Sequence, residues 1–221
     1  MKIKTTMFLF CLGFSLGSNA LAFLADPAGT SQPVLRAILD DLEQKMLKIG
    51  SMQSRFIQKK KLSLFQHEIE LHGSIAMKKP DRFAWRTESP VRYSIIIEKD
   101  KISQWNEDTN RVEVMSFSNV PALKIVIEQM RTWFYGAYGA LLDQYDISLV
   151  TSEPLALKFV PREKTPGYGL IQSVTIQFRQ DRSYIESILV EEKNGDLSAL
   201  NFTDTVLNSK IDSAVWKAKN A

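Results

Sequence analysis

The chain has 221 residues, of which 44% are hydrophobic and 24% charged, enough to bury the core of one globular domain. Its formal net charge is only +3, which excludes the strongly basic balance of a typical nucleic-acid-binding protein. We therefore expect a single globular domain with no nucleic-acid partner.

The first 22 residues are typical of a secretory signal peptide. Lys2 and Lys4 make the start positive, an apolar run spans residues 7–16, and the Ala-Leu-Ala segment at 20–22 resembles a cleavage site. The run is shorter than the roughly 20 apolar residues of a membrane span. We expect cleavage after this segment and a periplasmic mature chain, residues 23–221, with 26 basic and 25 acidic residues and a formal charge of +1. An uncleaved membrane anchor is the alternative.

The only cysteine, Cys11, lies inside the apolar run and directly follows Phe8-Leu9-Phe10. Lipoprotein processing needs a small residue immediately before the cysteine, so we predict no lipid anchor. The mature chain then has no cysteine, which excludes disulfides, a thiol nucleophile and thiolate metal ligands.

Two amphipathic helices are predicted, one near the start of the mature chain and one in its middle. Apolar residues recur at helical spacing from Leu35 to Ile49, and Gly50 suits the end of that helix. Pro121 opens the second segment, which runs to Phe134, because a proline is tolerated in the first helical turn.

Alternating apolar residues and turn signals predict about ten or eleven strands around the second helix. The segment from Ile69 to Met77 alternates with one buried face, and Lys78-Lys79-Pro80-Asp81 marks a turn. Asn194-Gly195 is a hairpin signal near the end of the chain. Regular spacing of this kind favours a mainly β, α+β protein with one curved antiparallel sheet and helices on its concave side.

Sequence motifs for catalysis or metal binding are absent. The two histidines, His67 and His72, are five residues apart in a strand region and therefore point to opposite faces. No metalloprotease, nucleophile-elbow, phosphate-binding or dinucleotide-binding pattern occurs. We predict no cofactor, no metal site and no enzymatic activity; a catalytic set assembled from distant residues is the alternative.

Aromatic and methionine residues dominate the elements that flank the predicted concave face. These residues are Phe56, Phe65, Met77, Phe83, Trp85, Trp105, Met115, Met130, Trp133, Phe134 and Tyr135. Such a set is either an ordinary core or the lining of a cavity that accepts acyl chains under a helical lid. Periodicity alone does not separate the two interpretations.

Several short motifs resemble those of the periplasmic lipoprotein carrier family LolA. The segment 52–58 resembles the F-x-Q opening of that family, and Gly73 to Trp85 is similar to its glycine-led strand, basic-Pro turn and F-x-W strand. Lys99 to Trp105 resembles its D-G-x-x-x-W hairpin, with Lys101 at the usual glycine. The segment 201–211 is similar to its closing F-x-x-V-x-x-N-x-x-I pattern, so the resemblance covers residues 34 to 216.

The resemblance implies an open, incomplete antiparallel β-barrel whose helices form a lid over a hydrophobic cavity. It places Phe83 and Trp85 in the acyl-chain cavity and puts Lys79 where the family has the arginine that holds the lid closed. Lysine keeps the charge but lacks the planar fork of arginine. Together with aromatic and apolar residues of the elements that flank the predicted concave face, the predicted cavity residues are Phe56, Phe83, Trp85, Trp105, Met115, Leu123, Ile127, Met130 and Trp133.

The resemblance also implies a function and partners. A monomeric carrier of this kind takes an acylated lipoprotein or lipid from an inner-membrane ABC exporter and passes it to an outer-membrane acceptor. Two alternatives remain at this point: a carrier for a specialised glycolipid or polyene-type lipid, and an envelope interaction or sensor module on the same scaffold.

Overall fold

A computed structural model describes residues 32–64, 68–116, 121–165 and 167–219, with side chains described for all of these except 121–127. The predicted signal peptide, Phe65 and His67 lie outside the described residues.

Both predicted helices are confirmed. Helix α1 spans Gln32–Leu47 and helix α2 spans Pro121–Tyr135, and short 3₁₀ turns cover Tyr138–Leu141 and Ser213–Trp216. The apolar stripe of α1 is buried at Leu35, Leu39, Leu42 and Met46, as its spacing predicts.

Within the described residues, eleven strands form one sheet, in agreement with the predicted number. They are β1 (Ser51–Lys61), β2 (Glu68–Lys78), β3 (Arg82–Ser89), β4 (Tyr93–Glu98), β5 (Lys101–Asn106), β6 (Val112–Ser116), β7 (Tyr145–Ser152), β8 (Leu155–Pro161), β9 (Ile171–Phe178), β10 (Ile185–Glu192) and β11 (Leu197–Leu207). Their order is β6-β5-β4-β3-β2-β1-β11-β10-β9-β8-β7, and neighbours pair antiparallel. The sheet is open, because β6 and β7 are edges rather than partners of each other.

Contacts divide the described residues into two compact units, each built from three chain segments. The first unit contains the described residues up to Met46, with Lys59–Ile69 and Gly136–Leu200. The second unit contains Leu47–Gln58, Glu70–Tyr135 and the chain from Asn201 onwards.

Edge-to-face ring contacts organise the core of the first unit. Tyr138 packs on Phe178 with ring centroids 5.7 Å apart, and Tyr145 packs on Phe159 at 6.1 Å. Such pairs stabilise a core beyond their buried area. Burial raises the pKa of the Tyr145 phenol to about 12, because the charged form would lose its contact with water.

Ion pairs tie α1 to the turn between β9 and β10 in the same unit. The Asp41 carboxylate accepts a hydrogen bond from Arg182 at 3.2 Å and pairs with Lys45, one helical turn away, at 3.3 Å. Lys45 also donates to the carbonyl oxygen of Asp181.

In the described part of the chain, no helix is both long and apolar enough to span a membrane.

Candidate ligand-binding face

Strand register sorts the side chains of β2 to β6 onto two faces, because paired residues of an antiparallel sheet share a face. One row of paired positions is apolar from β2 to β6: Met77, Phe83, Ile97, Ile102 and Met115. The next row on this face begins with Ile75, Trp85 and Ile95. We call this surface of the second unit the apolar face.

Aromatic rings from three strands and α2 meet on the apolar face. Phe56 of β1 lies against Trp85, with ring centroids 4.3 Å apart. Phe134, one residue before the end of α2, lies 6.4 Å from Phe83 and 5.6 Å from Phe202 of β11. All five rings are buried, with at most 5% of each residue exposed. The last turn of α2 therefore covers this part of the sheet.

Gly73 of β2 leaves the space that Phe56 occupies. A Cβ atom at position 73 would lie 2.5 Å from Phe56 Cζ and 2.0 Å from the backbone oxygen of Arg86. Neither distance is compatible with a real side chain, so only glycine permits this ring position next to Trp85.

Two side chains tie the end of α2 to the β2–β3 turn. Lys79 Nζ donates a hydrogen bond to the carbonyl oxygen of Tyr135 at 3.3 Å and lies 5.7 Å from the centre of the Tyr135 ring. The Tyr135 hydroxyl donates in turn to the carbonyl oxygen of Arg82 at 3.4 Å. Partial burial lowers the pKa of Lys79, while burial raises the pKa of Tyr135. A cation at a helix C-terminus is favourable because the last carbonyl groups lack intrahelical partners.

The opposite face of these strands is covered by the C-terminal segment. The small residues Ala76 and Ala84 pack with Ile96 against Ala218. The Arg86 guanidinium donates to several backbone carbonyl oxygens of this segment, including that of Val215 at 2.9 Å. Small side chains on the sheet allow the segment to approach closely.

Trp105 belongs to this opposite face, and its prediction as a cavity residue together with Phe83 and Trp85 is wrong. Trp105 pairs with Ser94, which pairs with Arg86, so all three share the face covered by the C-terminal segment. Its ring packs against the alanine-rich cluster there, and its Nε1 donates to Asn110 Oδ1 at 3.2 Å.

The other predicted cavity residues have three kinds of location. Phe56, Phe83, Trp85 and Met115 lie on the apolar face, with Met115 half-buried near the sheet edge. Met130, Trp133 and Phe134 are all buried, and their i, i+3, i+4 spacing places them on one stripe of α2. The side chains of Leu123 and Ile127 lie outside the described residues. The assignment of all these residues to a ligand cavity stays a prediction.

Two rings of the cluster, Phe134 and Phe202, are absent from the predicted cavity residues, although Phe134 belongs to the aromatic set that flanks the predicted concave face. Phe202 is buried with Ser198 and Leu200 at alternate positions of β11. This alternation is visible in the sequence and places Phe202 on a buried face.

Within the described residues, no group of three or more His, Cys, Asp and Glu side chains is arranged to hold a metal ion.

These features define a class of protein: an open antiparallel sheet with an aromatic face covered by the end of a helix. The profile of the family described as outer membrane lipoprotein carrier protein LolA matches residues 48–219. The chain belongs to the LolA family.

Individual relatives are distant in sequence. The chain is 24% identical to an outer-membrane lipoprotein carrier protein of Chromohalobacter salexigens over 66% of its own length, and the match spans 65% of that relative. It is 22% identical to the protein of the same name from Hahella chejuensis, over 90% of this chain and 87% of that one. A crystal structure of MucB has a similar fold, with a TM-score of 0.52, 12% identity and coverage of 83% of this chain and 63% of that chain.

Proposed function

We propose that this protein is a periplasmic carrier that binds the acyl chains of a lipoprotein, or of a related acylated envelope lipid, on the apolar face. The observation that carries the proposal is the buried cluster of five rings, Phe56, Trp85, Phe83, Phe134 and Phe202, in which Phe134 of α2 packs against Phe83 and Phe202. Membership in the LolA family, with relatives named as lipoprotein carriers, supports carriage over a purely structural role for these rings.

Helix α2 acts as the lid of this face. Its last residue is held by Lys79, and its Phe134 ring packs on Phe83. An entering acyl chain displaces these contacts and takes their place. The hydrogen bond to Tyr135 and the ring contacts are therefore what opening disrupts.

The same geometry limits the affinity, which a carrier needs in order to release its cargo. Each buried methylene contributes about 0.8 kcal/mol. Part of this gain is offset because the rings that cover one another in the closed arrangement lose contacts when the chain enters. Because the free energies of the closed and the loaded states are balanced in this way, the carrier can release its cargo without a nucleotide of its own. Binding and release involve no catalytic step.

Membership in the LolA family supports a route for the cargo between the two membranes. The carrier works as a monomer, receives its cargo from an inner-membrane ABC exporter and delivers it to an outer-membrane acceptor. The donor supplies the energy, and the acceptor sets the direction by binding the acyl chains more tightly.

Two neighbouring residues of β6 provide the test. Met115 continues the apolar row, while Val114 is 58% exposed and pairs with Ser103 on the opposite face. We expect the purified protein to bind an apolar fluorescent probe that a diacylated lipopeptide displaces. Met115→Gln should weaken lipopeptide binding about tenfold, whereas Val114→Gln should leave it unchanged. Absence of any lipid binding by the wild type, or equal effects of the two substitutions, would overturn the proposal.

A further inference from the structure

Two hydrogen-bond donors are buried on the apolar face without a partner. Trp85 is 3% exposed and Thr87 is 4% exposed. Over the residues that the structure describes, neither Trp85 Nε1 nor Thr87 Oγ1 has a hydrogen-bond partner. Buried polar groups in native proteins are nearly always paired, so two unpaired donors at one place need an explanation.

The two donors lie close together because of their positions in β3. Residues two apart in a strand point to the same face and are separated by roughly 7 Å. The Phe56 ring lies against Trp85 and at the space above Gly73, and Gly73 pairs with Thr87. A single ring, that of Phe56, therefore lies at the region that contains both donors.

The surroundings of the pair change from apolar to polar along the sheet. On one side lies the wholly apolar row that contains Phe83. On the other side, the row that contains Thr87 continues to Tyr93 and Asn106. The donors thus occupy the border between a surface suited to hydrocarbon and a surface suited to polar groups.

We propose that Trp85 Nε1 and Thr87 Oγ1 form a subsite for the carbonyl oxygen of an ester- or amide-linked acyl group. This inference rests on the proposed carrier function and specifies its ligand. A carbonyl oxygen only accepts hydrogen bonds, the indole N–H only donates, and the threonine hydroxyl can donate. The hydrocarbon of the acyl group then extends along the row of Phe83, and the remainder of the cargo lies towards Asn106.

The subsite selects the linkage of the ligand. A dialkyl ether of the same chain length presents no carbonyl, so it buries its hydrocarbon but leaves both donors unpaired. A free fatty acid presents a charged carboxylate, which is costly to bury in an apolar surrounding. The carrier should therefore prefer esters and amides over ethers and free acids.

The test compares ester and ether ligands of matched chain length by probe displacement. The ligands are a diacylated lipopeptide, diacylglycerol, and the dialkyl ether counterpart of each. We expect the wild type to bind esters about tenfold more tightly than ethers, which is the effect of one or two buried hydrogen bonds. If the ester is preferred to its ether in only one of the two series, the subsite is supported. That series, lipopeptide or glycerolipid, then identifies the class of molecule that supplies the carbonyl group.

Isosteric replacements locate the effect. Thr87→Val, and replacement of Trp85 by benzothienylalanine, which lacks the N–H, should each reduce the ester preference by about threefold to tenfold. The affinity of each variant for the ether is measured in parallel and serves as the reference for the ester preference. Matched controls are Thr175→Val in the first unit and the same replacement at Trp105, neither of which should alter the preference.

The outcomes separate the subsite from the carrier function. Equal binding of ester and ether by the wild type, or an ester preference that survives both replacements, would overturn the subsite while leaving carriage intact. Failure of every lipid to bind would overturn the carrier function itself.

Discussion

Lys79 Nζ donates a hydrogen bond to the carbonyl oxygen of Tyr135, the last residue of α2, and thereby fixes the helix end at which Phe134 packs on Phe83. The donor lies in the β2–β3 turn, and the acceptor is a carbonyl group that the helix itself leaves unpaired. This contact joins the end of α2 to the β2–β3 turn.

Removal of this contact should favour the open arrangement. We expect Lys79→Met to reduce the free energy of unfolding by about 1 kcal/mol, as loss of one hydrogen bond does. The same change should increase the affinity for an apolar probe about threefold to tenfold, because the apparent affinity rises with the fraction of molecules that are open. Denaturant unfolding and probe titration measure the two effects.

Lys78 supplies the matched control, because it is adjacent and exposed. Lys78→Met should leave both quantities near their wild-type values. Lys79→Arg should retain the closed arrangement, since a guanidinium can also donate to the Tyr135 carbonyl. Equal behaviour of the two methionine variants would contradict a lid-holding role for Lys79.

Gly73 should tolerate no side chain. A Cβ atom there meets the Phe56 ring and the Arg86 backbone oxygen, so Gly73→Ala should destabilise the protein by about 1–3 kcal/mol through overpacking. Chemical denaturation measures the change. Gly169→Ala is the control, because nothing lies within 4 Å of a Cβ atom at position 169. A Gly73→Ala variant as stable as Gly169→Ala would show that Phe56 does not occupy this space.

Asp41 should contribute stability that depends on pH. Partial burial alone would raise its pKa, but hydrogen bonds from Lys45 and Arg182 and the charges of both hold the pKa of Asp41 below its ordinary value of 3.8. Because the folded pKa is lowered, this contribution is present above pH 3.8 and is lost as the pH falls through the lowered value.

We therefore expect Asp41→Asn to cost up to about 1 kcal/mol at pH 7, the range of partly exposed ion pairs. The difference from the wild type should vanish in acid, below the lowered pKa. Thermal unfolding over a pH series measures it, with the exposed neighbour Asp40→Asn as the control. A difference that persists unchanged in acid would mean that the charge of Asp41 is not responsible.

Much of the fold could be predicted from the sequence because local signals agree with it. The alternation from Ile69 to Met77 predicted β2, and the apolar stripe from Leu35 predicted the buried side of α1. The position of Lys79 beside α2 followed from the family resemblance rather than from any local pattern.

The candidate site was harder to predict because a strand has two faces and ring size does not indicate which one a residue uses. Ile102 and Trp105 are three residues apart in β5, so they point to opposite sides, and parity within the strand could have separated Trp105 from the cluster. The unpaired donors of Trp85 and Thr87 become visible only when the neighbouring strands and Phe56 are in place.

Native mass spectrometry of the protein purified from its own cells tests the carrier function most directly. The account predicts a population whose mass exceeds that of the polypeptide by a bound acylated molecule, and release of ester- or amide-linked acyl chains after extraction. Polypeptide free of lipid in every preparation, together with failure to take up a diacylated lipopeptide added afterwards, would contradict it.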